Sequence, residues 1–230
     1  MKRLVLFDID ETLISSDGAG RRAIARVLQP VHDDIPESAL QINMSGKTDP
    51  QILSEILHLA NKAHLTTDQI METFIEPYLA ILSEEIKASA YYIVHEGILE
   101  LLERLEGDQG AYLGLLTGNV ESGARMKLER FDLNRYFPVG AYGSDSANRL
   151  DLPAVATARA CRHFGQNFEP EQVVIIGDSV NDILCAQHFG AKCIAVNTGK
   201  TAWDDLASLK PDYLFKTLSA TEAVARAIFS

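Results

Sequence analysis

Basic residues are scarce in this chain of 230 amino acids. Lysine and arginine number 21 against 32 aspartates and glutamates, so the formal net charge is -11. This charge opposes non-specific binding to nucleic acid or to an anionic membrane surface, and we expect neither as a partner. An anionic substrate would need local positive charge in its site, because the overall field of the protein repels it.

Cysteines and long apolar runs are also few. Cys161, Cys185 and Cys193 are an odd number without C-x-x-C spacing. This pattern favours reduced, partly buried thiols over a metal or redox site. No apolar run approaches the roughly 18 residues that span a membrane, and no signal peptide is recognisable. We therefore expect a cytoplasmic protein.

Six short runs have strand character, and helical patterns lie between most of them. The strand-like runs are Leu4–Phe7, Tyr112–Leu116, Val139–Tyr142, Val173–Ile176, Cys193–Val196 and Tyr213–Phe215. The first and fourth are apolar throughout, as in strands that are covered on both faces. Helical stripes occur at Gly97–Glu106, Pro153–Phe164 and Asn181–Phe189, and a glycine suited to a helix C-cap follows the last two. This alternation predicts an α/β fold with a Rossmann-like parallel sheet.

No convincing strand is found between the first two runs. Helical patterns occupy this stretch instead, near Arg21–Leu28, Gln51–Ala63 and Thr67–Lys87. Nearly eighty helical residues are too many for one crossover. We therefore predict an inserted α-helical cap domain at residues 16–93, and a Rossmann-like core at residues 1–15 and 94–230.

Two short segments are predicted to join the cap to the core. We expect hinges near Ser15–Gly18 and Ala90–Glu96, where the helical pattern begins and ends. Within the cap, Asp49 followed by Pro50 predicts the start of a helix, with Asp49 as the N-cap and Pro50 at the first helical position.

Two carboxylates follow the first apolar run. Asp8 and Asp10 lie two residues apart, so in an extended chain they point the same way. Like charges this close repel unless a positive charge is shared between them. A bound divalent cation, with one carboxylate free to act as a nucleophile, is the economical explanation. An acidic turn or helix cap is the alternative from local sequence.

Two further strand ends carry polar residues. Thr117, Gly118 and Asn119 follow the second run and precede a helix, where backbone N–H groups and the helix dipole suit a phosphate. An ordinary strand-to-helix turn with an Asn cap fits these residues equally. Arg149 lies in a loop rich in Gly and Ser, where it would offset the charge of a phosphate or else remain a solvated surface residue.

Asp178 and Asp182 form the fourth segment. Asp178 closely follows the buried run Val173–Ile176, and Asp182 falls in the first turn of the next helix. Helix capping explains acidic residues here, but Asp178 is also placed to hold a metal over the sheet edge. Because ligands bind beyond the carboxyl ends of parallel strands, the four segments together predict one site.

In this order and spacing, the four segments resemble the motifs of the haloacid dehalogenase (HAD) superfamily of phosphohydrolases, over essentially the whole chain. The insert is similar to the α-helical cap of the subgroup that includes phosphoglycolate phosphatases. The resemblance implies that Asp8 attacks phosphorus to give an aspartyl-phosphate, and that Asp10 acts as general acid and then general base. It further implies Mg²⁺ bound by Asp8, the Asp10 carbonyl and Asp178, with Asp182 as a ligand through water or a support behind the ligands.

The resemblance also assigns the phosphate contacts. Thr117, Gly118 and Asn119 would hold phosphoryl oxygens, and Arg149 would supply the basic residue of the third motif. That residue is commonly a Lys directly before a Pro, so the placement of Arg149 departs from the family pattern. We further expect Lys47, which follows Gly46 in the cap, to contact the substrate, although a solvated loop lysine fits the local sequence equally.

The activity that this implies is Mg²⁺-dependent hydrolysis of a small phosphorylated metabolite, by a monomer or a homodimer. One alternative is a β-phosphoglucomutase-like phosphomutase, although the early cap residues 18–22 lack the His that such mutases carry. The other is a non-catalytic binding protein on the same fold, since a fold alone does not guarantee activity.

Overall fold

A single parallel sheet organises the chain. The structure, a computed structural model, describes residues 2–31, 35–62 and 67–230. Its strands are β1 (Arg3–Phe7), β2 (Ile14–Ser15), β3 (Ile93–Val94), β4 (Ala111–Leu116), β5 (Val139–Ala141), β6 (Val173–Gly177), β7 (Lys192–Val196) and β8 (Tyr213–Phe215). Six of these pair in parallel in the order β5-β4-β1-β6-β7-β8. The predicted α/β fold is confirmed, and each of the six strand-like runs forms a strand.

Helices follow most of the strands. They are α1 (Ala19–Val31), α2 (Glu37–Leu40), α3 (Asp49–Leu59), α4 (Thr67–Ala88), α5 (Ile98–Glu106), α6 (Glu121–Glu129), α7 (Leu152–Phe164), α8 (Val180–Phe189), α9 (Trp203–Ser208) and α10 (Thr221–Phe229). Gly165 and Gly190 end α7 and α8 in the left-handed conformation, with φ of 63° and 81°, as their positions predicted. None of the helices in the described ranges is long and apolar enough to cross a membrane.

The central strand β1 divides the core into two layers. All five of its residues are buried. Val5 and Phe7 belong to a cluster that includes residues of α1, α5 and α10, whereas Leu4 and Leu6 pack with residues of α7 and α8. Alternate residues of a strand point to opposite faces, so an unbroken apolar run is what a doubly covered strand requires. Burial of each such side chain contributes about 1.5–3 kcal/mol.

The helices α1 to α4 lie between β2 and β3, and we call this part of the chain the helical segment. β2 and β3 pair antiparallel, with Ile14 opposite Val94 and Ser15 opposite Ile93. This two-stranded ribbon was not predicted, because two-residue strands carry no readable periodicity. It falls where both hinges were expected, so the entry and exit of the helical segment are tied together.

The start of α3 corrects one prediction. The N-cap is Thr48 and not Asp49, since the Thr48 hydroxyl accepts a hydrogen bond from the Gln51 N–H at 3.2 Å. Asp49 is the first helical residue, and its carboxylate is used elsewhere. The helix ends at Leu59, earlier than predicted, and the predicted end at Ala63 lies outside the described residues.

Candidate functional site

The carboxyl ends of three neighbouring strands bring the predicted site residues together. β1 lies between β4 and β6, with Phe7 opposite both Leu115 and Ile176. The Asp8 N–H continues this ladder by donating to the Ile176 carbonyl at 2.9 Å. Side chains that follow these strands therefore share one edge of the sheet, the edge at which open parallel sheets bind ligands.

Arg149 lies between two buried carboxylates. Its Nη2 is 2.5 Å from Asp182 Oδ1 and 3.2 Å from Asp8 Oδ1. The side chain is only 5% exposed, and its buried Nε has no hydrogen-bond partner among the described atoms. Burial alone would lower the pKa of Arg149. The nearby carboxylates of Asp182 and Asp8 raise the pKa by more than burial lowers it, so the net pKa lies above its ordinary value and the guanidinium stays charged. The arginine is thus a fixed cation with an N–H still available to an anion.

Three carboxylates form a compact acidic cluster. One oxygen each of Asp8, Asp178 and Asp182 lie within 4.8 Å of one another. Burial raises the pKa of Asp8 from 3.8 to about 7; Arg149 opposes this rise and Asp182 adds to it. Burial also raises the pKa of Asp178 well above its usual range, with Asp182 and Asp8 adding to the effect. Anions held together in this way are stabilised by a shared cation.

The donor set fits a hard divalent cation. Asp182 already accepts from Arg149 through Oδ1, and through Oδ2 from the Ser179 N–H at 3.0 Å and hydroxyl at 2.6 Å. It therefore supports the cluster from behind, which leaves Asp8 and Asp178 to offer oxygens. A Cβ on Gly199 would lie 1.8 Å from Asp178 Oδ2, so the backbone closes tightly around this carboxylate. A few carboxylates with room for water suit Mg²⁺.

Asp10 has a separate set of partners. The Lys127 ammonium contacts both carboxylate oxygens of Asp10, at 2.8 Å from Oδ1 and 2.7 Å from Oδ2. The Asn119 Nδ2 also donates to Asp10 Oδ2 at 2.7 Å, and the Ser16 hydroxyl donates to Asp10 Oδ1 at 3.1 Å. Burial raises the pKa of Asp10, but Lys127 and the hydrogen bonds from Asn119 outweigh it and hold the pKa below its usual value. Asp8 and Asp10 thus have opposite electrostatic environments, although only one residue separates them.

Lys127 is the functional candidate that sequence reasoning missed. It lies in the last turn of α6, where a lysine ordinarily interacts with the helix dipole in solvent. Its distance of 117 positions from Asp10 left no local signal.

The turn after β4 carries the three residues of the predicted phosphate cradle, Thr117, Gly118 and Asn119. Thr117 is fully buried, and its hydroxyl oxygen accepts from the Asn119 side chain at 2.8 Å. The Asn119 Oδ1 in turn accepts from Lys127 at 2.7 Å. Gly118 and Asn119 line the cavity described below, whereas Thr117 lies behind them.

The helical segment docks directly on this turn. The Asp49 N–H donates to the Gly118 carbonyl at 2.7 Å, and the Val120 N–H donates to the Asp49 carboxylate at 2.8 Å. Burial raises the pKa of Asp49 to about 6, with Lys127 opposing the rise. A Cβ on Gly118 would lie 2.0 Å from the Lys47 carbonyl, so only glycine permits this approach.

A cavity of about 180 Å³ remains between the helical segment and the sheet. Asp8, Asp10, Arg149 and Asp178 line its sheet side, and residues of the helical segment close the other side. Lys47 lines the cavity too, but its ammonium pairs with Glu55, also in the helical segment, at 2.5 Å. The structure thus places Lys47 at the cavity and leaves its contact with substrate as a prediction.

Known proteins resemble this chain over nearly its whole length. A family model described as haloacid dehalogenase-like hydrolase matches residues 5–196. Among curated proteins, "Probable phosphatase IndB" of Dickeya dadantii (strain 3937) is 25% identical over 228 residues, covering 99% of this chain and 95% of that protein. "Phosphoglycolate phosphatase 1" of Pseudomonas aeruginosa is 26% identical over 219 residues, covering 95% of this chain and 78% of that protein.

A solved structure shares the fold. It is described as a predicted phosphoglycolate phosphatase from Haemophilus somnus 129pt, and it matches with a TM-score of 0.73 at 23% sequence identity. The match covers 97% of this chain and 98% of that chain. At this identity, the likeness supports the architecture of sheet and helices and leaves the chemistry to the residues of the site.

Proposed function

The chain belongs to the haloacid dehalogenase-like hydrolase family as a phosphatase, and from this premise we propose that it is a Mg²⁺-dependent phosphomonoesterase. Its substrate would be a small phosphorylated metabolite, hydrolysed through an aspartyl-phosphate on Asp8. The observation that carries this proposal is the pairing of Asp8 with Arg149 at 3.2 Å beside an independently held Asp10. We further propose a cytoplasmic enzyme that acts as a monomer or a homodimer.

The first half of the proposed reaction transfers the phosphoryl group to the protein. An Asp8 oxygen attacks phosphorus, and the bond from phosphorus to the ester oxygen breaks. Lys127 and Asn119 lower the pKa of Asp10 in the free protein, so Asp10 is proposed to be protonated only in the complex with substrate, where it gives its proton to the departing alcohol. Arg149 is charged and buried next to the attacking oxygen, so it offsets the repulsion between Asp8 and the phosphate.

The second half returns the protein to its starting state. A water oxygen attacks phosphorus, the Asp8–phosphorus bond breaks, and Asp10 takes the proton that the water loses. Gly118, Asn119 and Arg149 are the proposed contacts of the phosphoryl oxygens, since all three line the cavity, with Thr117 holding the Asn119 side chain in place. Positioning and charge neutralisation supply most of the catalysis of phosphoryl transfer, and these residues provide both.

The proposed metal ligands are Asp8, Asp178 and the Asp10 carbonyl, with Asp182 supporting them. Mg²⁺ bound there would neutralise charge on the phosphate and on Asp8. The side-chain part of this set rests on the cluster of buried carboxylates, in which burial and the neighbouring negative charges raise the pKa values of Asp8 and Asp178.

The names of the relatives narrow the substrate class. Several of the curated relatives are called phosphoglycolate phosphatases, and phosphoglycolate is a phosphomonoester with a second anionic group. We propose a small phosphomonoester of this type, with Lys47 leaving Glu55 to meet the second group. Lys47 suits this role because it lines the cavity from the helical segment, opposite the phosphate site.

The proposal is tested by a screen of phosphorylated metabolites with Mg²⁺, phosphoglycolate among them, that reports inorganic phosphate and kcat/KM. We expect hydrolysis that EDTA stops and Mg²⁺ restores, and that Asp8→Asn lacks. Asp212→Asn is the matched control, since Asp212 caps the start of β7 away from the cavity. Absence of phosphate release from every ester and from p-nitrophenyl phosphate would contradict a phosphatase, and isomerisation of a sugar phosphate without release would indicate a mutase.

A further inference from the structure

Lys127 is a buried cation, and among the described residues its ammonium bonds only groups of the site. The side chain of Lys127 is 4% exposed, and its Nζ contacts both oxygens of Asp10 and the Asn119 Oδ1 at 2.7–2.8 Å. Moving an ammonium out of water is costly unless its N–H groups find acceptors. The acceptors are Asp10, which follows β1, and Asn119, in the turn after β4. These site residues therefore fix the position of the Lys127 ammonium.

The packing around Lys127 fixes where its ammonium lies. A Cβ on Gly20, in α1 of the helical segment, would lie 3.2 Å from Nζ. The ammonium is thus enclosed by the helical segment on one side and by Asp10 and Asn119 on the other. A longer side chain at position 20 would press on it.

The contacts orient the Asp10 carboxylate as well as neutralise it. Lys127 contacts both oxygens, Asn119 donates to Oδ2, and Ser16 donates to Oδ1. Donors on both oxygens prevent the carboxylate plane from rotating. No such set surrounds Asp8, which contacts a cation through one oxygen only within the described residues.

We propose that Lys127 is the positioning residue of Asp10 and sets the rate at which the phospho-enzyme is hydrolysed. This inference rests on the proposed function, because it assigns a supporting role for the second half of that reaction. In that step the water oxygen bonds to phosphorus, the Asp8–phosphorus bond breaks, and the water's proton passes to Asp10. Lys127 holds the Asp10 carboxylate in the orientation that receives this proton.

The two halves of the reaction respond differently to the loss of Lys127. p-Nitrophenolate is a good leaving group and needs no proton, so formation of the phospho-enzyme from p-nitrophenyl phosphate is insensitive to Asp10. Attack by water depends on the base, and general base catalysis contributes about 10²–10⁴-fold. Lys127→Met should therefore slow hydrolysis of the phospho-enzyme about 100-fold and leave its formation within about threefold of the wild type.

Stopped-flow measurement of p-nitrophenol with Mg²⁺ present separates these rates. We expect Lys127→Met to release about one equivalent in a burst, followed by a slow steady state. The double variant Lys127→Met/Asp10→Asn should be no slower than Asp10→Asn alone, since both changes remove the same function. Arg3→Met is the matched control, because Arg3 is also a buried cation but bonds the Glu171 and Ser230 carbonyls at the other end of β1.

A second variant covers the case in which Lys127→Met does not fold. Gly20→Ala keeps every charge and suits the helix, but its Cβ displaces the ammonium by a few tenths of an ångström. We expect a several-fold slower hydrolysis step in this variant, with a wild-type formation step.

The outcomes distinguish this inference from the proposed function. Equal slowing of both steps, or wild-type rates in both Lys127→Met and Gly20→Ala, would overturn the role of Lys127 while phosphatase activity stands. If Lys127→Met does not fold, a wild-type hydrolysis step in Gly20→Ala overturns it. A wild-type protein that releases no phosphate overturns both.

Discussion

Replacing the nucleophile should make the metal-free protein more stable. Burial raises the pKa of Asp8 from 3.8 to about 7, Arg149 opposes this rise, and Asp182 and Asp10 add to it. An ionised Asp8 in the folded protein is therefore a cost at neutral pH. Asparagine has nearly the same shape and no charge, and its side-chain oxygen still accepts from Arg149, so Asp8→Asn removes the cost and keeps the contact.

The direction and size of the effect follow from proton linkage. Because the folded pKa lies above the unfolded one, the folded protein binds more protons between about pH 4 and pH 7, and this contribution to stability declines as pH rises through that window. The difference between the two pKa values of Asp8 corresponds to about 4 kcal/mol at 1.36 kcal/mol per pH unit. Metal-free Asp8→Asn should therefore gain up to about 4 kcal/mol over the wild type near pH 7.5, and almost nothing near pH 4.

Urea unfolding in EDTA, followed by the fluorescence of Trp203, measures this gain, since Trp203 is the one tryptophan of the chain. Mg²⁺ should stabilise the wild type near pH 7.5 and should stabilise Asp8→Asn less, because the variant lacks the charged ligand. Asp212→Asn serves as the control for loss of an aspartate outside the cavity. A metal-free Asp8→Asn that is less stable than the wild type at neutral pH, or equally changed at both pH values, would refute the reasoning.

Three further substitutions test the charge pairs and the docking of the helical segment. Arg149→Met leaves Asp182 buried without its cation, and the free energy of unfolding from urea titrations should fall by about 3–5 kcal/mol; a fall below about 1 kcal/mol would mean that the pair is not desolvated. Gly118→Ala places a Cβ 2.0 Å from the Lys47 carbonyl, so proteolysis within the helical segment should accelerate, and unchanged cleavage would contradict tight docking. Lys47→Ala should lower kcat/KM for the best substrate about tenfold through loss of a charged hydrogen bond; an unchanged value would end that assignment.

Much of the fold could be predicted because each central strand must be apolar on two faces. Leu4–Phe7 and Val173–Ile176 are continuous apolar runs for that reason, and they form the adjacent strands β1 and β6. Glycines at positions 165 and 190 mark helix ends because the left-handed conformation favours them. These signals are local, so the sequence displays them.

The parts of the site that escaped prediction depend on partners distant in the chain. Lys127 has the sequence context of a solvated helical lysine, and its role follows from Asp10 and Asn119, which the fold brings to it. Asp49 was predicted as an N-cap, since an Asp before a Pro usually is one. Its carboxylate instead accepts from the Val120 N–H, in the turn after β4 and 71 positions away in the chain. Local propensity could not distinguish these cases from their ordinary counterparts.

The turn after β4 connects the docking of the helical segment to the chemistry of the site. The Asp49 N–H donates to the Gly118 carbonyl, and the Asp49 carboxylate accepts from the Val120 N–H. Asn119 lies between these two residues, and its side chain donates to Asp10 and accepts from Lys127. Separation of the helical segment from the sheet would break both bonds to Asp49 and release the backbone that places Asn119. The orientation of Asp10 therefore depends on docking, although Asp10 itself follows a core strand.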